Sequence, residues 1–223
     1  MPIFKSFFQK DFCIMVTYHQ VTEEDFDELA LLLSNQWATP EIRDNPIAMK
    51  HSGLLSLFYF MVHHTFTCVA EDNGKDIGLL ICTDINNRPF DMKYAKLLIQ
   101  EVAFMICNPE TRDDGLAWGE YTQLAQALED SCVHGIDAEL ELFVVDPEYR
   151  GQGIGKRMFR SMVKYYKMVG IDNFFLHTDT ACTYQFYDRI GMKRIGTLKS
   201  DIKSGDVDGI EMYIYASDVN DIK

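Results

Sequence analysis

The sequence predicts an α/β chain in which short β-rich runs alternate with amphipathic helices. Three observations carry that expectation. Residues 137–169, DAELELFVVDPEYRGQGIGKRMFRSMVKYYKMV, read as a strand, a glycine-rich turn and a helix in that order. Residues 66–71 and 76–83 are β-rich and flank Asp72-Asn73-Gly74-Lys75, and Asn-Gly between such runs signals a hairpin. Apolar stripes at helical spacing, such as Phe26, Leu29, Ala30 and Leu33, fall between the β-rich runs. At about 100–200 residues per domain, 223 residues suggest one domain spanning 1–223. A hydrophobic share of 47% allows a full core to be buried.

Residues 12–19, FCIMVTYH, read as a first strand. Thr22 then fits a helix N-cap with Asp25 three residues on, a capping box in which aspartate replaces the usual glutamate. That helix should end near Trp37, before Pro40. Residues 40–64 read as helical, interrupted around Pro46 and Gly53. The stretch 88–135 is too long for a minimal connection. It reads as a helical hairpin inserted between the third and fourth strands. Its first helix, 91–107, carries Met92, Ala95, Leu98, Ile99, Val102 and Ile106, and its second runs over 115–132. Its expected role is packing, a dimer surface or a wall for an acceptor pocket. Further on, 173–178 reads as a buried strand, 180–189 as a short helix, and 192–199 with 209–216 as a terminal strand pair.

The central stretch carries the chemistry. Leu140, Leu142 and Val144 alternate with Glu139, Glu141, Phe143 and Val145, a period-2 strand that Asp146-Pro147 ends. Arg150-Gly151-Gln152-Gly153-Ile154-Gly155 follows, then Met158, Phe159, Met162, Val163, Tyr166 and Val169 at helical spacing. The first turn of a helix has unpaired N–H groups at a partly positive end, and glycines let those groups close on a phosphate. Arg150, Lys156 and Arg157 add charge to this anion cradle. A P-loop is excluded, because position 150 is Arg and no Ser or Thr follows Lys156; a dinucleotide fingerprint is excluded, because position 156 is Lys.

R-x-x-G-x-G after a strand ending V-V-D-P-x-Y-R resembles the acyl-CoA-binding motif of the GNAT family, the GCN5-related N-acetyltransferases. Phe186-Tyr187-Asp188-Arg189-Ile190-Gly191-Met192 resembles that family's F-Y-E-x-x-G-F, with Asp for Glu and Met for the last Phe. The resemblance spans about residues 12–216 and leaves the insertion unmatched. It implies a mixed, mostly antiparallel twisted sheet flanked by helices, whose fourth and fifth strands splay. It further implies acetyl-CoA as co-substrate and no metal. The pantetheine arm would pair with the backbone near Phe143, Val144 and Val145. The pyrophosphate would meet the amides of Gly151, Gln152, Gly153, Ile154, Gly155 and Lys156, beside Arg150. Thr180 stands where the family often has Asn, and that contact departs from the pattern.

By the same resemblance, Tyr187 falls on the family's tyrosine position and would protonate the leaving thiolate; a phenol with a pKa of about 10 is neutral at pH 7. The Val145 N–H would serve the oxyanion. Glu139 and Glu141 share one strand face and are the candidate bases, Glu139 lying at the offset from Arg150 where some family members carry a glutamate. Burial would raise a carboxylate's pKa toward neutrality, whereas a solvated face would not. His177 is a further candidate base, and Tyr184 a candidate for lining the acceptor site.

The formal charge of −13 opposes nucleic acid as a partner and favours a small amine over a protein as acceptor. No apolar run reaches the ~18 residues of a membrane span, and the start of the chain lacks a signal-peptide layout. The six cysteines form no CxxC pair and read as reduced, in a cytoplasmic protein. Cys132 and His134 alone make a poor zinc pair. The alternatives are a non-catalytic acyl-CoA-binding sensor or scaffold, and a nucleotide-phosphate binder using the same cradle.

Overall fold

The computed structural model of the protein describes residues 16–222. A seven-stranded sheet runs through it in the order β1-β2-β3-β4-β5-β7-β6. The strands are β1 (Thr17–His19), β2 (Phe66–Asp72), β3 (Lys75–Asp84), β4 (Ala138–Val145), β5 (Asn173–Asp179), β6 (Lys193–Lys199) and β7 (Glu211–Asp218). All neighbours are antiparallel except β4 and β5. The helices are α1 (Phe26–Trp37), α2 (Pro40–Arg43), α3 (Pro46–Met61), α4 (Met92–Cys107), α5 (Arg112–Cys132), α6 (Ile154–Val169) and α7 (Gln185–Ile190). The mixed, mostly antiparallel sheet and the helical hairpin α4–α5 between β3 and β4 are as expected from the sequence. Of the first predicted strand, 12–15 lies outside the described residues, as does Cys13.

The two faces of the sheet are covered by different helices. On one, α6 lays Met158, Phe159, Met162 and Tyr166 against Ile77, Leu80, Cys82, Leu140 and Phe174. At about 1.5–3 kcal/mol for each large apolar side chain buried, this helix is anchored strongly; the Tyr166 hydroxyl also donates to the Glu139 carbonyl at 2.9 Å. On the other face, α1 and α3 bury Leu29, Leu33, Leu57, Phe58 and Met61 over Val69, Leu79 and Ile81. Farther along, α5 sets Leu128 over Phe175, Met212 and Ile214. The α4 stripe is only partly used: Tyr94, Ala95 and Met105 are buried, while Ile99, Val102 and Ile106 are exposed.

Three sequence expectations are corrected. Gly53 does not interrupt a helix. It lies inside α3, where an added Cβ would come within 2.0 Å of the Ala30 carbonyl oxygen, so it permits the α1–α3 crossing. The predicted helix 180–189 shortens to α7, because the Asp179 carboxylate instead accepts the Ala181 N–H at 2.8 Å and holds a turn. Leu140, Leu142 and Val144 do not share a face. The pairing of β3 with β4 shifts between Ile81 and Cys82, so Leu140 joins the α6 layer whereas Leu142 and Val144 join the α1–α3 layer. An extra residue in one strand has this effect, since it inverts the side-chain alternation beyond it.

Candidate functional site

Strands β4 and β5 are paired only where Ala138–Leu140 meets Phe174–Leu176. Beyond Leu140 they part, and the β5-facing edge of β4 is left without a strand partner. A cavity of about 680 Å³ opens there. Its walls come from β4 (Glu139 to Val145), β5 (His177 to Asp179), α7 and the start of α6. Trp37, Tyr59, the α5 residues Trp118, Tyr121 and Glu129, and the 202–204 segment complete them. The segment 36–42, the insertion and the loop of the terminal strand pair all reach this cavity.

At one end lies the glycine turn. Gly151 and Gly153 both have φ of +79°, a left-handed conformation that side chains with a Cβ resist, and an added Cβ at either would meet open space. The constraint is on the backbone rather than on room. Gly153 is the N-cap of α6 and supplies no side-chain cap, so the first amides of the helix have no side chain folded over them. Gly155 packs closer, with its Cβ position 3.2 Å from the Phe143 ring. Arg150 folds back: Nε donates to the Val145 carbonyl at 3.1 Å and a terminal nitrogen to Gln36 Oε1 at 2.7 Å. Among the candidate anion contacts, Arg150, Gly151, Gly153, Ile154, Gly155 and Lys156 line the cavity, and Gln152 does not. Thr180 is also off the wall, its hydroxyl oxygen accepting the Glu211 N–H at 3.1 Å.

At the other end the walls are acidic and buried. Glu139 and Glu141 both line the cavity; Glu141 is the extra residue at the shift in β4, between Leu140 and Leu142. Burial raises Glu139 well above the usual carboxylate range, and the charges of Glu141 and Glu129 raise it further. Glu141 is raised by burial, against Thr83 and Arg88, which lower it; Arg88 lies 3.9 Å from its carboxylate. His177 Nε2 sits 3.2 Å from Glu129 and 3.9 Å from Glu139. Asp179 is raised by burial and lies 3.3 Å from the Tyr121 hydroxyl, which donates to it.

Tyr187 lines the cavity where β4 and β5 part and is 8% exposed. Burial pushes its phenol upward, so it stays protonated at neutral pH. Tyr184 lies off the wall, against Tyr213. Cys182 lines the wall and accepts the Trp37 indole N–H at 3.4 Å, and burial with Asp179 nearby pushes its thiol up to about 12. Glu129, Asp179, Tyr121, Tyr59 and Trp118 were not anticipated. Their place depends on how α5 and α3 dock on the sheet, a long-range pairing to which no local pattern points.

The sheet thus opens between two parallel strands, beside a bare helix start and a buried tyrosine. The profile of the Acetyltransferase (GNAT) family matches residues 29–192, well over half of the chain, and the protein belongs to that family. It is an N-acetyltransferase by that membership. Solved structures agree on the fold. Arylalkylamine N-acetyltransferase 2 from Aedes aegypti matches with a TM-score of 0.58 at 12% identity, covering 92% of this chain and 100% of its own. An agmatine N-acetyltransferase in its apo form gives 0.54 at 12% identity, covering 91% and 99%. The ribosomal-protein-S18-alanine N-acetyltransferase of Escherichia coli gives 0.51 at 12%, covering 92% and 94%. No curated protein matches the sequence significantly. Among the described residues no helix is long and apolar enough to cross a membrane.

Proposed function

We propose that the protein transfers the acetyl group of acetyl-CoA directly to a primary amine of a small cationic molecule. The observation that carries this is one continuous cavity with the uncapped glycine turn at one end and buried carboxylates at the other. The co-substrate fits the chain's own groups. The left-handed glycines and Lys156 suit a diphosphate, and the unpaired β4 edge from Glu141 to Val145 suits an extended amide-bearing arm.

In this reading a carboxylate of the Glu139–Glu141 pair accepts the ammonium proton, since its raised pKa brings it closer to the amine's. The freed amine forms the C–N bond as the C–S bond breaks, and Tyr187 gives its proton to the departing sulfur. The Val145 N–H faces the developing oxyanion. Cys182 is held as a thiol and serves no covalent step, which favours direct transfer over an acyl-enzyme route. His177 orients the carboxylates. The acidic walls and the faces of Tyr59, Tyr121 and Trp118 suit an acceptor with a cationic body. The names of two relatives in fold, acting on agmatine and on arylalkylamines, agree with that class.

The test is release of free CoA across a panel of amines, with Tyr187→Phe alongside. Turnover on cationic amines is expected, with kcat in the variant lower by about 10²–10⁴-fold and affinity for acetyl-CoA kept. Acetyl-CoA binding with no turnover on any amine would favour a sensor or scaffold instead. Magnesium-dependent ATP binding without acetyl-CoA binding would overturn the carrier assignment.

A further inference from the structure

We infer that the outer edge of the sheet holds a site for one divalent transition-metal ion, ligated by His19, Asp25 and Asp76. Nothing in the acetyl-transfer reading calls for it, and none of the three lines the cavity. His19 ends β1, the edge strand; Asp25 ends the 3-10 turn ahead of α1; Asp76 follows the β2–β3 turn. One donor atom from each lies within 4.8 Å of the others. Bonds of about 2.0–2.2 Å to a shared ion keep its donors within about 4.4 Å of one another, so a small side-chain movement closes these three on an ion.

The donors are also pre-set. His19 Nδ1 lies 3.0 Å from the Gln20 carbonyl oxygen, which can only accept, and 3.8 Å from Asp25 Oδ2; with the hydrogen on Nδ1 the lone pair is on Nε2. Nε2 is buried with no hydrogen-bond partner, although the Glu71 carboxylate is 3.5 Å away. Two acceptors facing each other across that distance need a cation or a proton between them. Asp25 is fixed by the Thr22 N–H, which donates to Oδ2 at 2.6 Å.

Asp76 is the second, independent sign. It is only 6% exposed, and among the described residues its carboxylate takes part in no hydrogen bond or salt bridge. Its own backbone N–H is answered by Glu28 at 2.8 Å, which brings another carboxylate toward the cluster. No lysine or arginine among the described residues forms a salt bridge to any of these carboxylates. One imidazole with carboxylates favours zinc or manganese over magnesium or calcium, which prefer oxygen alone.

The full chain is stripped with EDTA and titrated with Zn²⁺ and Mn²⁺ by calorimetry, with Mg²⁺ and Ca²⁺ as controls, and unfolding temperature is followed in parallel. One ion per chain and a rise in Tm are expected. Asp76→Asn, which keeps the volume and removes a buried charge, and His19→Gln should each weaken binding by about 10–100-fold, with acetyl-CoA affinity unchanged. Equal binding in both variants would mean adventitious ions on an acidic surface and would overturn the site. So would stabilisation by Ca²⁺ or Mg²⁺ alone. If no ion binds, the pair with Glu71 is a plain side-chain contact and the inference fails.

Discussion

Tyr187 and the carboxylates around His177 occupy one cavity, yet burial acts on them in opposite functional directions. For the phenol it keeps the proton on; for Glu139, Glu141 and Asp179 it raises the affinity for a proton above that of ordinary carboxylates. The consequence for stability has a definite sign. These three groups hold protons in the folded chain at a pH where the unfolded chain has released them, so folding stability falls as pH rises from about 4.5, the usual glutamate value, through the raised values. Glu141→Gln removes one member of the repelling set. It should flatten that decline and raise Tm at neutral pH, read by thermal denaturation across pH. Activity should run the other way. If Glu139 takes the ammonium proton, kcat/KM climbs with pH through its raised pKa, and Glu139→Gln should abolish that limb of the profile. A Glu139→Gln profile identical in shape to wild type would remove Glu139 from the base role.

The elements show where sequence was enough and where it was not. Helix α6 and the turn before it were legible, because glycine spacing, the Asp-Pro strand stop and an apolar stripe are all local signals. The insertion was legible as a helical hairpin for the same reason. The β4 shift was not: Leu140, Leu142 and Val144 look equivalent in sequence, and only pairing with Ile81 and Cys82 sends Leu140 to the opposite layer. Gly53 was misread because a glycine that allows close approach and one that breaks a helix look alike along the chain. The structure separates the two. Gly53→Ala would drive a methyl into the Ala30 backbone, and overpacking of this kind costs about 3 kcal/mol, to be read by urea denaturation. Gly153→Ala acts differently, since its Cβ meets nothing but its backbone sits at φ +79°. A cost of about 1–2 kcal/mol is expected, together with weaker acetyl-CoA binding as the helix start reshapes. Loss of stability with unchanged affinity would show that the turn does not hold the carrier.

Taken whole, the molecule carries a charge of −13, but its polarity is arranged rather than uniform. Lys156 and Arg150 lie at one end of the cavity and Glu129, Glu139, Glu141 and Asp179 at the other, which the proposed function takes as its carrier and acceptor ends. The insertion contributes to that division through Glu129 on α5, so in the proposed reading a segment outside the core sheet helps set which acceptor enters. Low-dielectric walls focus such a field, and a cation is drawn in faster than diffusion alone provides. Salt screens that attraction over about 8–10 Å at physiological strength. Raising ionic strength should therefore lower kcat/KM for a cationic amine by about tenfold, mainly through KM, and more for a dication than for a monocation. Glu129→Gln should blunt the salt dependence of kcat/KM, and because the Glu129 charge raises Glu139, it should also move the rising limb of the pH profile to lower pH. A salt response equal for charged and uncharged-tail amines would mean that the acidic end does not select the acceptor, and the field would then reflect solubility alone.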